Sequence, residues 1–432
     1  MAISYSSSLE FLYGLQKHGI KLGLETINEM LARLGRPQGR YHTLHIGGTN
    51  GKGSTAAMTA AILRAAGYRV GLYTSPHLVD FRERIRVNDD PIPEDCVAEL
   101  TERLQDAAGL SLSPTFFEFT TALALQFFAG SQVEIAVLEV GMGGRFDATN
   151  VVVPLASAIT NVALDHEEYL GHTVGAIAFE KAGIIKRDVP VVAGRLSPEA
   201  VEVIKRIASE QAAPLVRLHV DFRTHGDREC FRYDGLNWFY ADLFCPLDGT
   251  HQLDNAACSL ALLELAAAKG IRVSEESVRA GLRSVCWEGR LEVVEHHPTL
   301  LLDGAHNPAA AEAVAAHLAA YRGDHPGSRI LLVIGMMRDK DLEGFFRAIL
   351  PTVDEAIVTQ ANMARAATVE ELCSFLGERS DSVHVAPHTA DALALARRLA
   401  SPEDLICVTG SLMLVGEVKA LLRGCGLSPI RG

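Results

Sequence analysis

This chain of 432 residues has no apolar run long enough to cross a bilayer, so no membrane span is expected. Its start, Met1 to Glu10, has no basic region followed by an apolar stretch, so no signal peptide is expected either. Its eight cysteines are scattered and form no C-x-x-C pair. That argues against disulfides and structural zinc and suits small buried thiols in a reducing, cytoplasmic setting. Basic residues are in deficit: the net charge is −13, and no basic face is evident for a nucleic acid to bind. Internal repeats and low-complexity segments are missing too. What remains is an ordinary soluble composition, 48% hydrophobic and 22% charged, in a chain too long for one core. Two domains are expected.

The most informative segment is Gly47-Gly48-Thr49-Asn50-Gly51-Lys52-Gly53-Ser54-Thr55. It lies between an extended stretch, Tyr41 to Ile46, and a helical pattern from Thr55 to Ala66. Strand, glycine-rich turn and helix together make a phosphate cradle. Glycines let backbone N–H groups converge on an anion, and the helix start adds positive potential. Lys52 is placed to reach the outer phosphates of a bound anion, and Ser54 or Thr55 to offer a hydroxyl to Mg²⁺. Gly53, between the lysine and the hydroxyl, departs from the usual spacing.

Short apolar runs alternate with helical patterns, so the class is α/β with largely parallel sheets. Thr43–Ile46, Val70–Tyr73, Ile135–Val140, Ser157–Val162 and Val189–Ala193 read as strands buried on both faces. Phe231–Tyr233 and Asn237–Tyr240, split by Asp234-Gly235, read as an antiparallel hairpin appended to them. After Trp287 the rhythm restarts with Leu300–Leu302, Ile330–Ile334, Ala356–Thr359, Val383–Val385 and Leu405–Val408, a second and smaller doubly wound unit. The division falls at 1–287 and 288–432. Ligands of such sheets bind beyond the carboxyl ends of the strands, here in the cleft between domains.

Thr49-Asn50-Gly51-Lys52-Gly53-Ser54 resembles the P-loop of the Mur ligase superfamily, and within it the folylpolyglutamate synthases. Thr74-Ser75-Pro76-His77-Leu78, the stretch Glu139 to Asn150, Asp165-His166, Glu180 to Lys186, His251-Gln252 with Asn255, Gly289-Arg290 and Asp303-Gly304-Ala305-His306-Asn307 follow in that family's order. The resemblance implies a P-loop N-terminal domain and a smaller Rossmann-like C-terminal α/β domain that ligates glutamate. It implies ATP at Asn50, Gly51, Lys52, Gly53, Ser54, Thr55, Asn255, Arg290 and Asp303. Two Mg²⁺ ions would be held by Ser54, Ser75, Glu139 and His166, with Asp165 orienting the histidine through its other ring nitrogen. Lys181 would carry a CO₂-derived carbamate, which needs a neutral amine and therefore burial. His306 would face the γ-phosphate. Leu22, Gly23, Leu24, Thr115, Phe116, Phe117, Glu118, Phe146, Asp147 and Ala148 would line a pterin or pteroate pocket, a carboxylate pairing with the amino-pyrimidine edge.

Each residue also has a plainer reading. Glu139 is a charge at a strand end, Lys181 a surface lysine near a helix C-terminus, Asn255 a cap, Arg290 a linker charge, and Phe116 and Phe117 core. Arg82 and Arg84 either attract a glutamate carboxylate or form a solvated strand of alternating charge. The expected activity is ligation of L-glutamate to 7,8-dihydropteroate, to the γ-carboxylate of tetrahydrofolate, or to both, through an acyl phosphate. The partners are then small molecules and the enzyme a monomer. The alternatives are another Mur-type amide ligase, or a P-loop ATPase switch without a small-molecule acceptor.

Overall fold

The computed structural model describes residues 3–19, 21, 23–109, 111–377 and 382–428. The first sheet contains β1 (His42–Gly47), β2 (Val70–Tyr73), β3 (Ile85–Val87), β4 (Asp90–Pro91), β5 (Ile135–Glu139), β6 (Ala156–Asn161), β7 (Val191–Arg195) and β8 (Leu215–Arg217). Their order is β4-β3-β2-β5-β1-β6-β7-β8, parallel except at β3 and β4. β9 (Arg223–Gly226), β10 (Phe231–Asp234) and β11 (Phe239–Leu243) form a small antiparallel sheet. The last sheet contains β12 (Glu292–His296), β13 (Thr299–Leu302), β14 (Ile330–Ile334), β15 (Glu355–Val358), β16 (Val383–Val385) and β17 (Leu405–Thr409), in the order β12-β13-β17-β14-β15-β16. Only β12 runs antiparallel in it.

The apolar runs become central strands because both of their faces are covered. Along β5, Ile135 and Val137 join the core under the helices Lys52–Ala65 and His251–Ala267. Ala136 and Leu138 join the opposite core, against the helix Phe116–Gly130. The alternation is the two-residue period of an extended chain. β14 does the same in the second domain, with Leu332 and Leu331 in different cores. Among the described residues no helix is long and apolar enough to cross a membrane.

Three expectations need correction. The helix after the glycine-rich turn starts at Lys52 rather than Thr55, because Gly51 takes a left-handed φ of 81° and serves as its N-cap. Phe81–Arg84 is a one-turn helix and not a strand, because Asp80 and Glu83 cap it reciprocally. The hairpin acquires β9 as a third strand. The outer strands β3, β4, β8 and β12 escape a reading based on apolar runs, since strands at or next to an edge need no continuous apolar face.

Candidate functional site

The glycine-rich turn leaves β1 and enters the helix Lys52–Ala65 at the carboxyl edge of the first sheet. Thr49 and Asn50 give their N–H groups to Asn161, to its carbonyl (3.0 Å) and side-chain Oδ1 (2.8 Å). The first helical bond runs from Thr55 N–H to Gly51 C=O, so the N–H groups of 52–54 are the free donors of a helix start. The Asn255 side chain packs on Gly51 and donates to Gln252 Oε1 at 2.9 Å. Trp287 lies flat enough on Gly53 that a Cβ there would meet its ring at 2.9 Å. Both Ser54 and Thr55 are buried.

Two lysines converge on this turn. Lys52 Nζ donates to Thr49 C=O and Lys181 Nζ to Gly48 C=O, each at 2.9 Å. Lys181 is only 4% exposed, which settles against a surface lysine. Burial, helped by the Lys52 charge, lowers its pKa to about 7. Burial lowers Lys52 as well, against the attraction of Glu139 and Asp165. The neutral amine that a carbamate requires is therefore accessible at Lys181.

Glu139 ends β5 beside Ile46 of β1. Its Oε2 accepts from Ser75 N–H at 3.1 Å, and burial raises its pKa while Lys52 opposes the shift. Ser75, Glu139, Gly53 and Arg290 share a cavity of about 300 Å³ between the domains. Hydroxyl and carboxylate oxygens on a buried anionic centre fit Mg²⁺, so Ser54, Ser75 and Glu139 suit one such ion.

A second ion at His166 fits less well. Lys340 from the C-terminal domain holds its Nζ 2.6 Å from Asp165 Oδ1 and 3.4 Å from His166 Nε2, so an ammonium already stands there. Burial and the Lys340 charge lower the His166 pKa to about 3. Asp165 bonds the backbone N–H of His166 at 2.9 Å, and its Oδ2 is 3.9 Å from the ring. It does not orient the imidazole as expected. Burial works against ionising Asp165, but the His306 hydrogen bond and the His306, His166 and Lys340 charges hold it well below the carboxylate range.

Further cross-domain contacts surround this pair. His306 Nε2 lies 3.5 Å from Asp165 Oδ2, and Asn307 Nδ2 donates to the same oxygen at 3.2 Å. Asn50 and Asn307 exchange side-chain hydrogen bonds at 3.2 and 3.0 Å. Asn307 also caps the helix Pro308–Asp324. Asp303 accepts from Leu291 N–H and Ala305 N–H, both at 2.8 Å, and so shapes the loop carrying Arg290. Lys340 and Asn161 were not expected here, and Asn307 was expected only as the end of the Asp303–Asn307 motif, without a contact; Asp339-Lys340-Asp341 was the available signal for Lys340.

The expected pterin residues divide. Leu22 lies outside the described residues. Gly23 and Leu24 lead into the helix Glu25–Arg33. Thr115 and Glu118 form a capping box, so one Glu118 oxygen serves the backbone. Asp147 is committed further: Oδ1 takes Thr149 N–H (3.0 Å) and Oγ1–H (2.5 Å), and Oδ2 takes Met142 N–H (2.9 Å). Behind it His45 Nε2 meets Thr149 Oγ1 at 2.8 Å. Asp147 thus ties down the Gly141–Phe146 loop. Phe117 packs on Gly141, Phe116 stacks on Tyr13 with centroids 5.7 Å apart, and Ala148 is buried. Phe146 is 41% exposed and open to a ligand. Arg82 is paired with Asp80 at 2.7 Å and so does not offer a free charge.

Comparison with known proteins gives one consistent answer. The Mur ligase middle domain family matches residues 46–263, and the Mur ligase glutamate ligase domain family matches 289–412. A dihydrofolate synthase/folylpolyglutamate synthase from Bacillus subtilis is 35% identical, over 98% of this chain and 100% of its own. The Escherichia coli protein of the same name is 35% identical over 96% and 95%. Among solved structures, E. coli FolC in complex with DHPP and ADP superimposes with a TM-score of 0.90 at 35% identity, covering 98% of both chains. The Yersinia pestis bifunctional folylpolyglutamate synthase/dihydrofolate synthase, complexed with AMPPNP and a Mn ion, gives 0.88 at 32% identity, again over 98% of each.

Proposed function

The chain belongs to the Mur ligase family, in its dihydrofolate synthase/folylpolyglutamate synthase branch, and from that premise we propose that it joins L-glutamate to 7,8-dihydropteroate, to tetrahydrofolate, or to both, at the expense of ATP. The observation that supports this most is the meeting of Gly53 at the helix start, Ser75, Glu139 and Arg290 around one interdomain cavity, with the Lys52 charge acting on Glu139. Residues 1–287 hold ATP and the acceptor, and residues 288–432 bring glutamate to them.

The free N–H groups of 52–54 and the Lys52 ammonium hold the β- and γ-phosphates. A divalent ion on Ser54, Ser75 and Glu139 supplies positive charge against the phosphate oxygens when bound. Asn255 faces the adenine, Arg290 the phosphates and Asp303 the ribose. An acceptor carboxylate oxygen attacks the γ-phosphorus, the bond to the β,γ-bridging oxygen breaks, and ADP departs. The glutamate amine then attacks the acyl carbon, loses a proton and expels phosphate. The protein contributes chiefly position and charge. His306 stands on the C-terminal side of the cleft, and Lys181, whose Nζ meets Gly48 C=O, would carry a carbamate that supplies an anion there.

Phosphate release from ATP, measured with Mg²⁺, L-glutamate and either acceptor or none, tests the reading. Release that requires an acceptor and glutamate is expected, with dihydrofolate formed from dihydropteroate. Release indifferent to both would make the protein an ATPase switch. Lys52→Ala should cut turnover by roughly 10²–10³-fold at unchanged thermal stability; near-normal activity in that variant would remove Lys52 from the mechanism.

A further inference from the structure

Arg84 is a cation without an anion. It ends the turn Phe81–Arg84 and is only 3% exposed. Its Nε donates to His77 Nδ1 at 2.8 Å, and its guanidinium carbon lies 5.2 Å from the centre of the Phe116 ring. His77 is no counter-charge, since an imidazole is neutral or cationic and accepts here through Nδ1. Among the described residues no carboxylate stands within ion-pair distance of Arg84, whereas its neighbour Arg82 has both Asp80 and Glu94. Glu83, next in sequence, is spent on the N–H groups of Leu78, Val79 and Asp80. A buried charge with no partner is among the least favourable arrangements a fold can hold.

The position gives the exception a purpose. Phe116 opens the helix beside the proposed acceptor pocket, and Glu139, whose charge Arg84 feels, lines the reaction cavity. Arg84 thus touches the Phe116 end through its ring contact and is coupled electrostatically to the Glu139 end. We propose that Arg84 is the counter-charge for a carboxylate of the acceptor and sets which acceptors are accepted. The inference rests on the ligase reading above. Both acceptors carry the carboxylate that is to be activated; tetrahydrofolate adds the α-carboxylate of its glutamate. The planar fork of arginine suits either, and two parallel N–H···O bonds become available once the carboxylate arrives.

The test compares Arg84→Met and Arg84→Lys with the unaltered protein. Dissociation constants are measured for dihydropteroate, tetrahydrofolate and the carboxylate-free probe 6-methyl-7,8-dihydropterin, and the ligand-free proteins are melted. Arg84→Met should weaken carboxylate-bearing acceptors about 10- to 100-fold and leave the pterin probe unchanged. It should also melt no lower than the unaltered protein, because it removes an uncompensated charge at similar volume. Arg84→Lys should fall between, keeping charge but losing the fork. Weakening of both acceptors assigns Arg84 to the carboxylate that reacts; weakening of tetrahydrofolate alone assigns it to the α-carboxylate. Equal loss for the pterin probe, a clear drop in melting temperature, or unchanged affinities would each overturn the proposal. A protein that binds both acceptors yet ligates neither would defeat the ligase reading while leaving these constants to judge Arg84.

Discussion

Lys181 shows how much a single side chain depends on surroundings that its sequence neighbours do not reveal. Glu180-Lys181-Ala182-Gly183 reads as the exposed end of a helix, and the helix does end there, with Gly183 as its C-cap. The exposure is wrong because that end abuts the glycine-rich turn, 133 positions away in sequence. Burial lowers the ammonium pKa from 10.5 to about 7, which fixes two signs. The unfolded chain holds this proton up to its higher pKa, so between about pH 7 and 10.5 raising the pH stabilises the fold at this residue, and below about 7 the full cost of the buried charge applies. Carbamate formation consumes the neutral amine. At fixed dissolved CO₂, labelling of Lys181 with ¹³CO₂, read by ¹³C NMR, should therefore rise through pH 7, and Lys181→Arg should abolish it. A label of the same size at pH 6 and pH 8 would contradict the assignment.

At the scale of elements, the central strands were legible and most outer ones were not. A strand with both faces buried must be apolar throughout, and β2, β5 and β14 announce themselves that way. β3 is three residues long and β12 carries charges along its length, so both hide among loops. The active loops were legible as motifs, but their internal division of labour was not. Asp147 reads as a ligand-facing group, and it is also the knot of its own loop, supported from behind by Thr149 and by His45 on β1. Spacing within one motif could not expose that link, since His45 is 104 positions from Thr149. Thr149→Val keeps the shape and removes the hydroxyl that donates to Asp147. It should cost about 1–3 kcal/mol of stability and raise KM for the pteridine acceptor more than it lowers kcat, with KM for ATP little changed. An unchanged acceptor KM would mean that the loop keeps its form without this chain of hydrogen bonds.

For the molecule as a whole, the decisive contacts join the two sheets across the cleft. Lys340 with Asp165, Asn307 with Asn50, and His306 with Asp165 all pair residues from opposite domains. Both partners of the Lys340–Asp165 bridge are 7% exposed, so removing the carboxylate leaves the ammonium buried without an anion, and removing the ammonium leaves Asp165 with only its Asn307, His306 and backbone contacts. Breaking such a pair typically costs about 3–5 kcal/mol. Lys340→Met and Asp165→Asn should each destabilise strongly, and the double variant should lose clearly less than the sum of the two. Additive losses in denaturant unfolding would show that the bridge contributes nothing of its own. No reading of one segment at a time could locate these pairs, since each belongs to two folding units and forms only when both are in place.

Only two tryptophans occur in the chain, and one of them, Trp287, lies in the stretch joining the domains with its indole pressed on Gly53 of the nucleotide turn. The other, Trp238, sits apart in the small antiparallel sheet region beside Tyr240. The indole of Trp287 therefore senses both the turn that receives ATP and any change of angle between the halves. With Trp238 replaced by phenylalanine, the emission colour of a single native fluorophore would follow opening, filling and closing in real time, with no dye attached.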